Sequence, residues 1–460
     1  MAYKFPIIYW NTACLSVNAG AINEEDYGSL IDEGIIEVSD EEDQRKSGKV
    51  QYGKIVNAIG KFRHELNLSV DLPDINVAKF GFTPDLETNS VVFGLKSITK
   101  IGDKLIHNII NNRPYNSLDH FIEKMKDSAG RKLISKDRVV ILIKAGAFDR
   151  LENKKREDIL YDFIKRVSDQ KKKVNLQNMK MMIRFDMIPE KLEFEKRVYN
   201  FNDYLRKQKF KDKYLKVDQV ALSFLEEINY DLNKLKKMKD ENGEVIQVVP
   251  KSTWDSYYQR TMDAVRSWIK DNHDELLETL NNKLFEEEYE KYGKGNKLKW
   301  ELEALNFYHS GHELEGMREN MPLHITPISK VPEQEVISYF HIKGKKIPKY
   351  KLHHIMGTVL DKDKSKHIIT LSGPTGIINV KVYRNQFSKY DHVISYFDED
   401  GNKVIKQDSF FEKGTFLVVT GIKRGDVFLP KVYKATKIDP ILKVTFENGE
   451  PYAETKDSGE

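Results

Sequence analysis

Residues 94–110 read GLKSITKIGDKLIHNII, two short apolar-periodic runs on either side of a single glycine, Gly102. Leu95, Ile98 and Ile101 recur at helical spacing, and Leu105, Ile106, Ile109 and Ile110 do so again after the glycine. The spacing predicts two short helices joined at Gly102, where the absence of a Cβ allows a positive φ or a close backbone approach. This is the layout of a helix-hairpin-helix, in which the first N–H groups of the second helix point at a phosphate. Those amides have no intrahelical acceptor and sit at the positive end of the helix dipole, so they bind an anion without reading sequence. Lys100, Ile101, Gly102 and Lys104 are the candidate contact residues. A glycine C-cap between two packing helices explains the same letters, and this stretch alone does not separate the two.

Working outward, SLDHFIEKMKD (117–127) and SKDRVVILIKAGAFDRL (135–151) predict two further helices with Ser117 and Ser135 as N-caps, the second closed by Gly146. Two glycine-closed helical pairs suggest an internal duplication, with Gly146 as a second candidate contact. On the other side, Leu68, Val70 and Leu72 alternate before Pro73, and SVVFGL (90–95) predicts a second short strand. Ile55, Ile59, Phe62 and Leu66 predict a helix from Tyr52. Residues 1–37 read as helical with a turn near Gly20, followed by a polar loop over 38–49.

Residues 151–300 are rich in lysine and glutamate and predict amphipathic helices, with a tight turn at DENGEV (240–245). Between 154 and 216 there are 19 Lys and Arg against 10 Asp and Glu. Such a concentration either tracks a nucleic-acid backbone or is a solvated helix face. Pro322, Pro327, Pro332 and Pro348 mark an extended connector. From Lys351 five strand-like runs succeed one another, HHIMGTVL, KHIITL, GIINVKVYR, TFLVVTGIK and DVFLPKVYK, with a longer insertion after the third. That pattern predicts a five-stranded OB-fold barrel. Lys381, Tyr383 and Arg384 on one strand, with Phe428 and Lys431 on another, combine charge with aromatic surface as single-strand binding requires, although barrel aromatics also serve as core.

The chain has 460 residues, 40% hydrophobic and 32% charged, and a net charge of only +4. Affinity for nucleic acid must therefore come from local patches. A single cysteine, Cys14, excludes a disulfide framework and a thiolate metal site. The N-terminal apolar run is too short to span a bilayer and no cleavage site comes after it, which predicts a cytoplasmic protein with no membrane partner. His309 and His312, or His353 and His354, lack the further ligands of a metal centre. No P-loop, nucleophile elbow or paired-aspartate constellation is present, so no catalytic residue and no bound cofactor is predicted in this chain.

Taken in order, several motifs resemble the C-terminal portion of the alpha subunit of the bacterial replicative DNA polymerase III, a C-family polymerase. KFPIIYWNTACLS is similar to a fingers helix of that family, LPDIN (72–76) followed by Phe82 to its PPDIN loop, and FGLKSITKIG to its GLxxIKGIG. LIKAGAFDRL (142–151) matches LIxSGAFDxL, ALNFYHSGHELE (304–315) resembles LGFYLSGHPLD, and the terminal barrel stands where the family has its OB domain. Departures are Lys100 where the hairpin's first glycine is expected, Ala78 for a serine, Asn306 for a glycine and Glu313 for a proline.

The resemblance implies a multidomain α+β protein whose N-terminal two-thirds are mostly helical. Residues 1–90 would be the later part of the fingers, 91–152 a tandem helix-hairpin-helix, 153–320 a basic helical insertion in the place of the clamp-binding segment, 321–350 a linker, 351–436 the OB-fold and 437–460 a C-terminal tail, of which the polar last dozen residues read as frayed. It implies binding of primer-template duplex and single-stranded template, in a bacterial or infected-host cytoplasm. The Mg²⁺-holding aspartates would lie ahead of residue 1, on a separate palm-bearing polypeptide of a split polymerase or in the remainder of a truncated one. A sliding clamp is a further implied partner. Gln219, Leu222 and Phe224, within QVALSF, come closest to the family's clamp motif, with one residue too many. Val217, Val220, Ala221, Phe224, Leu225 and Ile228 fit an amphipathic helix as well. A stand-alone DNA-binding accessory protein and a scaffold that does not bind DNA remain the alternatives.

Overall fold

The computed structural model describes residues 7–21, 50–66, 68–342, 344–398, 402–433, 439–447 and 450–457. They form two compact units, one made of the chain before and after a contiguous second unit, Phe163–Tyr292.

In the first unit, helix α1 (Ile7–Asn18) ends in a turn with Gly20 at φ +63°. Ile8 and Leu15 are buried, whereas Trp10 is 64% exposed and Ile7, Tyr9 and Val17 are exposed with it. Helix α2 (Tyr52–Glu65) buries Ile55, Ile59 and Phe62, as their spacing predicts, and Val56 with them, whereas Leu66 is the C-cap residue and is exposed. A three-stranded sheet comes next: β1 (Ser69–Asp71) runs parallel to β3 (Ser90–Val92), and β2 (Thr83–Asp85) pairs antiparallel on the other side of β3. Three helices complete this region, α3 (Asp103–Asn111), α4 (Leu118–Lys124) and α5 (Lys136–Lys144), before the short α6 (Asp149–Glu152) and α7 (Arg156–Val167). The Ser117 hydroxyl accepts from His120 N at 3.1 Å and caps α4. Ser135 is the N-cap residue of α5 but makes no side-chain cap bond.

The second unit is not all helical, as its composition suggested. Between helices it carries an antiparallel sheet in the order β4 (Lys209–Phe210), β5 (Tyr214–Val217), β7 (Val245–Pro250), β6 (Lys236–Lys239). Charged residues mask the alternation of these short strands, and β-branched Val245, Ile246, Val248 and Val249 build the central one. The DENGEV turn forms the β6–β7 hairpin, with Gly243 at φ +81° and Asp240 Oδ1 accepting from the Asn242 and Glu244 amides, both at 2.9 Å. Trp254 is fully buried and donates its indole N–H to Asn202 Oδ1 at 3.0 Å.

Returning to the first unit, α8 (Lys297–Leu305) ends at Asn306, whose φ of +62° is the left-handed C-cap conformation that glycine adopts most easily. The connector over 321–350 is not merely extended: β8 (Val336–Ile342) and β9 (Lys345–Tyr350) pair as a ribbon. Beyond it lies a closed five-stranded barrel, consistent with an OB-fold. Its strands are β10 (His353–Asp363), β11 (Ile368–Gly373), β12 (Gly376–Lys381), β15 (Phe416–Arg424) and β16 (Val427–Pro430), in the order β10-β11-β12-β16-β15 with β15 returning to β10. The insertion after β12 holds α9 (Arg384–Asp391) and a second ribbon, β13 (Ile394–Phe397) with β14 (Lys403–Gln407). Part of the expected tail is also ordered, since β17 (Ile441–Glu447) and β18 (Glu450–Glu454) extend the sheet from β15. Helix α2 lies against the barrel. Asn57 Nδ2 donates to Asn379 Oδ1 at 3.1 Å, and a Cβ at Gly60 would stand 3.1 Å from the Ile377 side chain, so the glycine permits the approach.

Candidate nucleic-acid interface

The predicted first helix of the hairpin does not form as such. Leu95–Ser97 make one 3-10 turn, and Ile98 is already extended. Leu95, Ile98 and Ile101 are nevertheless buried, so the apolar spacing marks their burial but not their backbone. The left-handed residue of the turn is Lys100, at φ +61°, and not Gly102, which is extended at φ −93°, ψ 160° and serves as N-cap of α3. A glycine at position 100 would meet this conformation without strain. Here tertiary bonds hold a lysine in it: Thr99 N donates to Ala304 O at 2.9 Å and Thr99 Oγ1 to Glu303 O at 3.0 Å.

What Gly102 provides is space. A Cβ there would meet no atom within 4 Å, and the residue is exposed. Gly130, Gly243, Gly316, Gly344 and Gly425 are equally open, but each has a positive φ that explains its glycine. No steric demand of the chain itself explains Gly102. The first-turn amides of α3 border an open groove lined by Gly102, Lys104, Asn108, Lys132 and Arg138. Lys104, Lys132 and Arg138 are exposed. Asp103, the acidic residue of this turn, is engaged by Lys96, whose ammonium also lies 5.8 Å from the Phe80 ring. Lys100 stands 3.9 Å from Glu303 with its side chain 66% exposed. Lys132 and Arg138 carried no motif signal. The Ser135 N-cap, which places Arg138 in the first turn of α5, could have drawn attention to them.

The second glycine turn is built differently. Gly146 is buried, with φ +84°, and a Cβ would lie 2.4 Å from Arg156 Nη2. Arg156 fills the space where an outside group would have to come. It donates to Lys144 O at 3.1 Å and to Asp149 Oδ2 at 2.6 Å, and its Nη1 lies 3.4 Å from Glu301 Oε1. Glu301, also fully buried, accepts from His309 N at 2.8 Å, Ser310 N at 2.9 Å and Ser310 Oγ at 2.6 Å. The LIKAGAFDRL and FYHSGH segments are thus joined through one ion pair.

The LPDIN loop is clasped as well. Asn76 exchanges two hydrogen bonds with the Tyr115 backbone, at 2.8 and 2.9 Å, Arg113 Nε donates to Ile75 O at 2.8 Å, and Ile75 N donates to Ala147 O at 2.9 Å. His312 uses both ring nitrogens. Nδ1 faces the Leu314 N–H at 3.1 Å and must accept, which leaves Nε2 to donate to Ser372 O at 2.9 Å. Burial pushes its pKa down to about 4, so it is a neutral link.

The barrel residues separate. Phe428 is fully buried among the barrel's apolar side chains and offers no stacking face. Tyr383 and Arg384 are not on a strand. β12 ends at Lys381, and Tyr383 is the N-cap residue of α9, 71% exposed, with Arg384 exposed beside it. Lys381 is exposed, and Lys431 lies 5.0 Å over the Tyr350 ring. In the second unit, Gln219 opens the helix Gln219–Glu227 and is exposed, whereas Leu222 and Phe224 pack against the core, Phe224 stacking on Phe201 at 4.2 Å. The segment is the amphipathic helix rather than a free extended peptide. Many basic residues here are locally paired, including Arg184 with Glu287, Arg197 with Glu227 and Arg206 with Asp255. Among the described residues no helix is long and apolar enough to cross a membrane.

Residues 67–159, which contain this groove, match the model of a helix-hairpin-helix motif. Over 439 residues, 94% of the chain, the sequence is 38% identical to the probable DNA polymerase YorL of Bacillus subtilis strain 168. It has the same identity over the same length to the DNA-directed DNA polymerase of Bacillus phage SPbeta. The chain is homologous to these polymerases and spans 32% of the length of each.

Proposed function

We propose that this chain is the DNA-holding portion of a C-family replicative polymerase of the polymerase III alpha type. It binds primer-template DNA through the Gly102 groove while Mg²⁺-dependent nucleotidyl transfer takes place on a palm-bearing polypeptide. The observation that carries the reading is Gly102 itself: an exposed, unobstructed glycine without a positive φ, at a helix N-terminus flanked by Lys104, Lys132 and Arg138. A phosphate approaching the first-turn amides explains the missing side chain, and the cations add the sequence-independent attraction such a site needs. The exposed apolar face of α1, with Ile7, Trp10 and Val17, supports docking of the palm-bearing portion in the cytoplasm of a bacterial cell or a phage-infected host.

Fluorescence anisotropy of the full chain on a primer-template duplex, titrated across a salt series, tests the duplex reading. Affinity should fall steeply with salt and collapse in Lys104→Glu/Arg138→Glu. A flat response would instead support a scaffold. Co-purification with the palm-bearing polypeptide, lost in Trp10→Glu, tests the assembly; a chain that binds duplex but never that polypeptide is a stand-alone accessory protein.

A further inference from the structure

Two β-ribbons of the first unit open with the same five residues: VISYF is residues 336–340 on β8 and, with Val393 just before β13, residues 393–397. In both, the Tyr-Phe pair is exposed: Tyr339 by 49% and Phe340 by 37%, Tyr396 by 53% and Phe397 by 72%. The two ribbons then diverge in charge. The first continues HIKGKKIPKY and contains no carboxylate, whereas the second continues DEDGNKVIK.

On the first ribbon each exposed ring lies under a lysine. The Lys346 ammonium is 4.0 Å from the Tyr339 ring, and Lys349 is 5.7 Å from both the Phe340 and Tyr433 rings. Phe340 and Tyr433 stand 5.5 Å apart. Tyr433 fastens the ribbon beside the barrel, its hydroxyl accepting from Tyr350 N at 2.6 Å and donating to Tyr350 O at 3.1 Å. Lys431 thus belongs to the base of this ribbon, over Tyr350.

We infer that the β8–β9 ribbon is a platform for single-stranded nucleic acid, its rings stacking bases while Lys346, Lys349 and Lys431 neutralise phosphates. Interleaved aromatics and cations suit a strand whose bases are free to stack, and a duplex hides those faces. The absence of carboxylates selects a polyanion over a basic protein surface. The inference rests on the proposal that this chain holds primed DNA, but it uses residues separate from the Gly102 groove.

The experiment uses the full chain with labelled oligo(dT) of about 20 nucleotides, long enough to cover one barrel's site, and a duplex of equal length. Tyr339→Ala/Phe340→Ala should weaken oligo(dT) binding by about tenfold or more and leave duplex binding intact. Tyr396→Ala/Phe397→Ala, the same letters beside acidic charge, should change neither. Lys346→Glu/Lys349→Glu should weaken oligo(dT) binding and flatten its salt dependence; this charge variant decides the matter if the aromatic variant misfolds by circular dichroism. Unchanged oligo(dT) affinity in a folded first-ribbon variant, as a protein-docking ribbon would give, overturns the inference, and so does an equal loss in the two aromatic variants. Loss of duplex binding alone, as in Lys104→Glu/Arg138→Glu, would bear on the groove and not on the ribbon.

Discussion

Arg156 and Glu301, 145 residues apart in sequence, face each other at 3.4 Å with both side chains buried. The carboxylate also gathers three donors from His309 and Ser310, and the guanidinium closes over Gly146 with Asp149 as a second partner. Removing Arg156 therefore leaves Glu301 buried without a counter-charge, and removing Glu301 leaves Arg156 to Asp149 and strands the His309 and Ser310 donors. Glu301→Leu or Arg156→Met alone should cost about 3–5 kcal/mol in urea unfolding. The double variant should cost less than the sum, which a double-mutant cycle measures.

Lys100 carries a left-handed backbone in a position that suits glycine. Lys100→Gly should leave thermal stability unchanged or raise it by up to about 1 kcal/mol, whereas Lys100→Val, β-branched, should lower it by about 1–3 kcal/mol. The comparison reads the backbone separately from the lysine's charge.

The neutral His312 makes stability depend on pH in a definite direction. Its folded pKa of about 4 lies below the ordinary 6.5, so between these values the unfolded chain binds the extra proton. The contribution is complete above pH 6.5 and is lost as pH falls toward 4, amounting to about 3 kcal/mol. His312→Gln should flatten this limb in the variant's own unfolding free energy, so that the advantage of parent over variant grows as pH rises from 4 to 6.5.

At the Gly102 groove, Lys104→Ala and Arg138→Ala should each reduce the slope of log affinity against log salt on duplex DNA by about 1. A Gly102→Ala substitution should leave the fold intact, because an added Cβ meets no atom within 4 Å, yet weaken duplex binding. A thermal melt alongside the titration separates the two effects.

Much of this architecture can be read from the chain. The barrel strands, the burial of Leu95, Ile98 and Ile101, and the cap at Ser117 arise from local spacing, because each is decided within a few residues. Lys100 and Asn306 stand where the motif resemblance leads one to expect glycine, and both adopt positive φ, so the backbone makes there the demand that glycine meets most easily. Other features depend on distant partners. Arg156 lies outside the resembling motifs and gains its role only when folding brings Glu301 to it. Phe428 and Tyr383 are both aromatic, and only the fold separates them: β16 buries the first in the barrel, whereas the second stands exposed at the N-cap of α9. The repeated VISYF is visible in the letters, but its two ribbons differ in what they offer because of the charges around them.

The barrel does not close evenly. β10 meets β15 over six residue pairs and β11 over five, whereas the parallel seam between β12 and β16 consists of Asn379↔Val427 and Val380↔Phe428 alone. A cylinder so joined has a mechanical weak line, and local fluctuations favour the line of fewest bonds. Amide hydrogens on Val427–Leu429 should exchange with solvent ahead of those on β10, and a probe that pries the barrel apart will find that its first opening is also the door to Phe428.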